Sequence, residues 1–299
     1  MRVSERMRYD QVQGRIESSK NQNANALDQL SSQKRINKIS DDPIGTTKVL
    51  RYRDRISNME QYRKNIDYAK GFMERSEAAL QGINDNLIRA KELAVAMSND
   101  TYGPTSREAT AREIREIMDE IVSLGNMSFN GRFVFGGFRS RTPPLNGEGD
   151  FLGDDGVIHV PISQGNFRPV SLQARYLFEA TPNEAQEGHF SMMKSLEVLY
   201  EGLGANDKHQ MHRALDELDH QLEKSTSYQA SLGSMWNAIN STSERLEKEQ
   251  VLSRERLSKV EDADVFEATS EFKRTETVLQ STLLASTKLL QPSLLNFLQ

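Results

Sequence analysis

Between Pro43 and Pro104 the chain contains no proline, and from Ile66 onward one seam repeats at steps of three and four without slipping: Ala69, Met73, Ser76, Leu80, Ile83, Leu87, Ala90, Ala94, Met97. Such steps trace one face of an α-helix. A chain that commits this many residues to one helix, at about 1.5 Å of rise per residue, must build a rod of parallel layers rather than wrap a small globule. Pro104 suits the first turn of a second helix, which sets Thr110, Ile114, Ile117, Ile121 and Leu124 on one face. From about Asp207 a further long pattern turns Leu232, Trp236, Ile239, Leu246, Leu257 and Val260 inward. Trp236 reads as a core anchor rather than a ligand platform.

The two ends share the period but not the chemistry. Residues 1 to 38 read as one helix with the seam Val12, Ile16, Ser19, Asn23, Ala26, Leu30, Gln33. Near the other end Val265, Ala268, Phe272, Thr275, Leu279, Thr282, Ser286 and Leu289 fall at heptad spacing. Each seam is half polar, so burying it returns little against the entropy of ordering the helix. Both ends therefore require neighbouring helices. The whole chain agrees, because 36% hydrophobic and 27% charged residues suit thin helices that expose most of their circumference.

Residues 139 to 190 differ in kind. They carry five of the eight prolines and short alternating runs around Val157 to Val160, and GDDG at 153 to 156 reads as a turn between strands. Asn130 and Gly131 form a second turn signal. The expected fold is mainly α: a long antiparallel helical rod with terminal coiled-coil helices and a small β-rich insertion domain. Its parts are 1–42 and 257–299 for the terminal coil, 43–138 and 191–256 for the rod, and 139–190 for the insertion.

KRINKISDDP at 34 to 43 separates terminal coil from rod. Asp42 is a good N-cap and Pro43 a good first helical residue, with Ser40 and Asp41 as the turn. Arg35, Asn37, Asp41 and Asp42 are mixed in sign, which admits either a solvated turn or a surface that fixes register against a neighbouring subunit.

Other chemistry is sparse. Residues 1 to 65 hold 14 Lys and Arg against 8 Asp and Glu, giving that segment +6 and the remainder −11. Arg51, Arg53, Arg55, Arg63 and Lys64 are interrupted by Asp54 and Glu60 and sit in no nucleic-acid module. His209, His212, Asp216 and His220 follow one helical face, but four successive turns are too spread for one ion. No GxSxG frames a serine. The absence of cysteine excludes disulfides and thiol catalysis. MRVSERMRYDQ has no apolar core of the kind a cleaved signal peptide needs, and no window approaches a membrane span. The reading is of a non-enzymatic protein with no cofactor, no metal site, no nucleic acid and no membrane among its partners.

KRINKISDDP, NGRFVFGGF at 130 to 138, SKVEDADVFEATSEF at 258 to 272 and PSLLNFL at 292 to 298 resemble, in order and placement, the flagellin superfamily of bacterial flagella. RFVFGGFRSRTPPL at 132 to 145 is more similar to the axial proteins of the hook-filament junction than to the filament protein. The resemblance implies a structural subunit with terminal helices packed against those of other copies in a ring, between hook-associated protein 1 and flagellin. It further implies export without a cleaved signal peptide, service by a cytoplasmic export chaperone, and an extracellular place at the hook-filament junction. On this reading Val12, Ile16, Leu30, Val265, Phe272, Leu279 and Leu289 form the subunit interface. Arg35, Asn37, Asp41, Asp42 and Pro43 form the joint. Filament flagellin itself, and a cytoplasmic coiled-coil adaptor, are the alternatives.

Overall fold

The computed structural model describes residues 2–98 and 103–290, side chains excepted at 2–5, 8, 289 and 290. It is 74% helical. In chain order the elements are α1 (Arg2–Ser32), α2 (Pro43–Met97), α3 (Pro104–Gly125), β1 (Ser128–Phe129), β2 (Arg132–Phe133), β3 (His159–Ser163), β4 (Asn166–Pro169), α4 (Arg175–Phe178), α5 (Pro182–Glu187), α6 (Met192–Ala205), α7 (Lys208–Glu261) and α8 (Val265–Leu290). The chain divides into a terminal unit, 1–58 with 248–299, and a central unit, 59–247. PSLLNFL at 292 to 298 lies outside the described residues.

In the central unit, every member of the seam from Ile66 to Met97 is buried, and Thr110, Ile114, Ile117, Ile121 and Leu124 of α3 are buried with it. Leu124 packs where Gly82 of α2 leaves no room for a Cβ. Asn84 donates to Gln229 at 3.1 Å, tying α2 to α7. Asp207 caps α7 by accepting from the amides of His209 and Gln210. The aromatic centre is Phe178, edge-on to Phe135 with centroids 5.6 Å apart and stacked on Phe151 at 6.0 Å. Trp236 is only half-buried and lies at the margin of this core.

Two antiparallel hairpins interrupt the helices. Asn130 and Gly131, with φ of 49° and 75°, turn β1 into β2. The second hairpin pairs β3 with β4, with a register shift between Pro161 and Ser163, and turns at Gly165, φ 71°. GDDG at 153 to 156, expected to be a hairpin turn, is not one. Its Asp154 Oδ1 accepts from the amides of Phe138 (2.7 Å) and Gly156 (2.9 Å), and Oδ2 from Arg139 (3.1 Å). Three backbone donors converging on one carboxylate outweigh the local turn preference.

In the terminal unit α1 and α8 pack antiparallel. The helix read over 1 to 38 ends at Ser32, because Gln33 takes φ 56° and Lys34 bridges to Asp262. Asp264 restarts the chain into α8 by accepting from the Phe266 amide at 2.8 Å.

Candidate assembly surface

The joint is built from carboxylates that satisfy backbone donors. Asp42 Oδ1 accepts from the Gly45 amide at 2.8 Å and caps α2, and Pro43 occupies the first turn, where its missing N–H costs nothing. Asp41 Oδ2 accepts from the amides of Asn37 (3.1 Å) and Lys38 (2.8 Å), closing the preceding turn. A side chain at Gly45 would meet Asp42 Oδ2 and Ile36 Cδ1 at 2.3 and 2.5 Å, so glycine lets Ile36 bury against the start of α2.

Across from the joint lies the end of α7. Arg35 donates from its amide to the Glu261 carbonyl at 2.7 Å, and from Nη2 to the Val260 carbonyl at 2.8 Å; its Nη1 lies 3.6 Å from Asp42 Oδ2. Ala263 returns a bond to the Gln33 carbonyl at 3.0 Å. The Glu261 carboxylate, 4% exposed, is paired with both Lys34 and Arg53. Burial pushes its carboxyl up, but the bonds and charges of Lys34 and Arg53 outweigh burial and hold it below the ordinary glutamate range. Arg55 pairs with Glu249 beside it. A clasp of charges thus joins segments far apart in sequence.

Beyond the clasp the seam between α1 and α8 is polar at its middle. Asn23 donates to Thr275 at 3.3 Å and Ser19 bonds Thr282 at 3.4 Å, while Ala26 and Ala268 are its buried apolar members. Val12, Ile16, Leu30, Phe272 and Leu279 are half-buried along it. Val265 is 48% exposed and outside the seam proper, and the Leu289 side chain lies outside the described residues.

Periodicity pointed to the seam and passed over the opposite faces. Leu27 on α1, Val278, Leu283 and Leu284 on α8, and Phe266 at its start are open to solvent, Phe266 at 87% and Leu284 at 67%. Ile39 and Ile44 flank the joint at 70% and 72%. The signal was present as large apolar residues off the seam of otherwise polar helices. These faces are where a further helix would find grease to cover.

The histidines of α7 do not converge on one point. His209 and His212 are exposed, and His220 instead stacks on His189 at 4.1 Å and faces Glu184 at 3.4 Å. Among the described residues no group of three His, Asp or Glu is arranged to hold an ion, and no helix is long and apolar enough to cross a membrane.

Comparison with known proteins meets this geometry at both ends. The family model for the bacterial flagellin N-terminal helical region matches residues 3–140, and that for the bacterial flagellin C-terminal helical region matches 215–298. The flagellar hook-associated protein 3 of Escherichia coli K12 is 24% identical over an alignment of 306 positions that covers 96% of each chain. Flagellin 1 of Proteus mirabilis is 30% identical over 130 residues, 43% of this chain and 36% of that one. Among solved structures, a flagellar hook-associated protein from Vibrio parahaemolyticus superposes with a TM-score of 0.68 at 17% identity, over 74% of this chain and 100% of that one. At that identity the likeness speaks for the fold.

Proposed function

The chain belongs to the bacterial flagellin family and is a structural protein of the flagellum, and from this premise we propose that it is the subunit of the ring joining hook-associated protein 1 to the flagellin filament. One observation carries the reading: the pair α1–α8 seals its seam with hydroxyls and an amide while turning Leu27, Leu283 and Leu284 to solvent. Such a pair is half of an interface, and other copies complete it. In this assembly Val12, Ile16, Leu30, Phe272 and Leu279 line the coil that copies share, with Val265 at its mouth. The division at 42 and 257 then separates the parts that pack between copies, as distinct from the units into which a single chain folds. Arg35 and Asp42 set the joint's register against the neighbouring copy.

Alignment along 96% of a hook-associated protein 3, against 36% of a flagellin, supports junction over filament. Export without a cleaved signal, and a cytoplasmic chaperone holding the C-terminal region, complete the proposal. An antibody to the 139–190 insertion, viewed by electron microscopy, tests it: one band at the hook boundary is expected, and label along the filament overturns it. At the joint, Arg35→Glu combined with Asp42→Lys reduces assembly at the hook tip; unchanged assembly would reduce the joint to a turn.

A further inference from the structure

The loop after β2 is held unusually well for a segment that presents an aromatic ring to water. Phe138 is 73% exposed. Its amide and that of Arg139 are bound by the two oxygens of Asp154, whose carboxyl these bonds hold below its ordinary range although burial pushes it up. Gly137 takes φ 62°, and a Cβ there would meet Asp154 Oδ1 at 2.1 Å and its carbonyl oxygen at 2.6 Å. Only glycine permits this approach. Among the described residues the guanidinium groups of Arg139 and Arg141 make no ion pair. The result is a preorganised knob: one aromatic ring flanked by two cations, of which Arg139 also acts on the Asp154 carboxylate, and both residue types are enriched at protein interfaces.

Elsewhere in the central unit lies a surface of complementary character. An open groove of about 580 Å³ between α2 and α7 has a floor of Met73, Leu232 and Trp236 and a lip of Glu74 and Glu77. A Cβ at Gly233 would meet nothing within 4 Å, so the wall is open there. Glu74 is exposed and has no ion-pair partner among the described residues; Glu77 only accepts from Gln229 at 2.6 Å.

Knob and groove share no lining residue. Phe138, Arg139 and Arg141 line one cavity, and Arg139 lines a second with Val122 of α3 and Asn126 just after it, whereas the groove is lined from α2 and α7. They are separate surfaces of one copy, and successive copies can bring them together. An interface between two different patches of identical chains is the head-to-tail kind, which gives a ring where the rotation closes and a helical filament where it does not.

We propose that Phe138 of one copy inserts into the α2–α7 groove of the next, against Trp236, with Arg139 and Arg141 pairing with Glu74 and Glu77. The inference rests on the reading of this chain as a ring subunit, and it names the contact that sets neighbouring central units against each other.

The absence of native cysteine makes the test direct. Full-length Phe138→Cys and Ala78→Cys chains are mixed, concentrated and oxidised, with Ser123→Cys, exposed on α3, replacing Ala78→Cys as control. Both paired sites are exposed, so folding is unaffected. The 138–78 heterodimer is expected at least about tenfold above the 138–123 control; equal yields overturn the proposal. Arg139→Glu with Arg141→Glu removes the excess, and Glu74→Lys with Glu77→Lys in the partner restores it; loss without restoration also counts against the pairing. In isolated flagella, a cross-link from Phe138→Cys to a different protein would overturn the assignment to a second copy. Antibody label along the filament with a positive 138–78 cross-link would defeat the junction reading and leave this contact standing. A hook-boundary band without the cross-link would do the reverse.

Discussion

Two seams of the same period meet opposite fates in this molecule. Along α2 of the central unit no seam residue from Ile66 to Met97 is more than 8% exposed. Along α1 and α8 the same three-and-four stepping yields half-buried Val12, Ile16, Phe272 and Leu279, and the buried apolar residues among the described part of the terminal unit are Ala26, Ile36, Val49 and Ala268 alone. Period dictates which way a helix faces; side-chain volume and polarity dictate whether one chain can finish the burial. The central unit completes its core by itself. The terminal unit substitutes charge and hydroxyl contacts for grease and leaves its leucines turned outward.

The comparison breaks most visibly at Phe178. It is 2% exposed and touches two other aromatic rings, so Phe178→Ala should lower the stability of the central unit by about 3–5 kcal/mol, read from thermal or denaturant unfolding. A loss below about 1 kcal/mol would mean that the central core is no better packed than the termini.

A smaller effect is expected at Glu184, which caps α5 by bonding the Thr181 amide at 2.8 Å and receives Lys224 Nζ at 3.0 Å. Burial pushes this carboxyl up, yet the Thr181 amide and Lys224 ammonium pull it down to about 2. Its folded pKa lies below the unfolded one, so the stabilisation is full above the ordinary glutamate range and drains as pH falls toward about 2. Glu184→Gln should cost on the order of 2–3 kcal/mol at pH 7, because it strands the buried Lys224 ammonium. The gap between wild type and variant should close in acid; a gap that persists at pH 2 would point to packing instead of charge.

Glu261 extends the same reasoning to the terminal unit. Glu261→Gln should cost about 1–2 kcal/mol there, seen as faster amide exchange at 33–37 and 261–264. Its carboxyl too is held low, so the contrast between wild type and variant should be present at neutral pH and vanish as pH falls through the lowered value. Equal exchange in both proteins at pH 7 would show that the backbone bonds from Arg35 and Ala263 hold the clasp unaided.

What could be read in advance follows the range of the interaction. Helix faces and the cap at Asp42 depend on residues within four of each other, and the α2 seam and the start at Pro43 stand out in the sequence itself. The end of α1 at Ser32 does not, since it depends on a bridge from Lys34 to Asp262, more than two hundred residues away. Asp154 misled for the same reason: its local pattern signals a turn, while the donors it serves at Phe138 and Arg139 lie 16 and 15 residues upstream. The spacing marks Trp236 as a core anchor, and it does pack on the core, but α7 also gives it a face on an open groove. Within the candidate surface, the seam positions were legible from spacing. The outward leucines were not, because no rule of period marks large apolar residues that lie off the seam.

The smallest change in stability should accompany the largest change in assembly. Leu279 is half-buried beside a seam already held by Asn23 with Thr275 and Ser19 with Thr282, so Leu279→Asp should cost an isolated chain about 1 kcal/mol or less and leave the central unit's unfolding untouched. The same carboxylate placed in a shared coil meets a different environment. Neighbouring copies would cover it and remove its water, and a charge taken out of water without a buried partner carries a penalty of several kcal/mol. Incorporation at the hook tip should therefore fail in a protein that expresses and folds normally. Should Leu279→Asp still support filament growth, the polar seam is sufficient in itself, and the terminal unit differs from the central one in composition without differing in purpose.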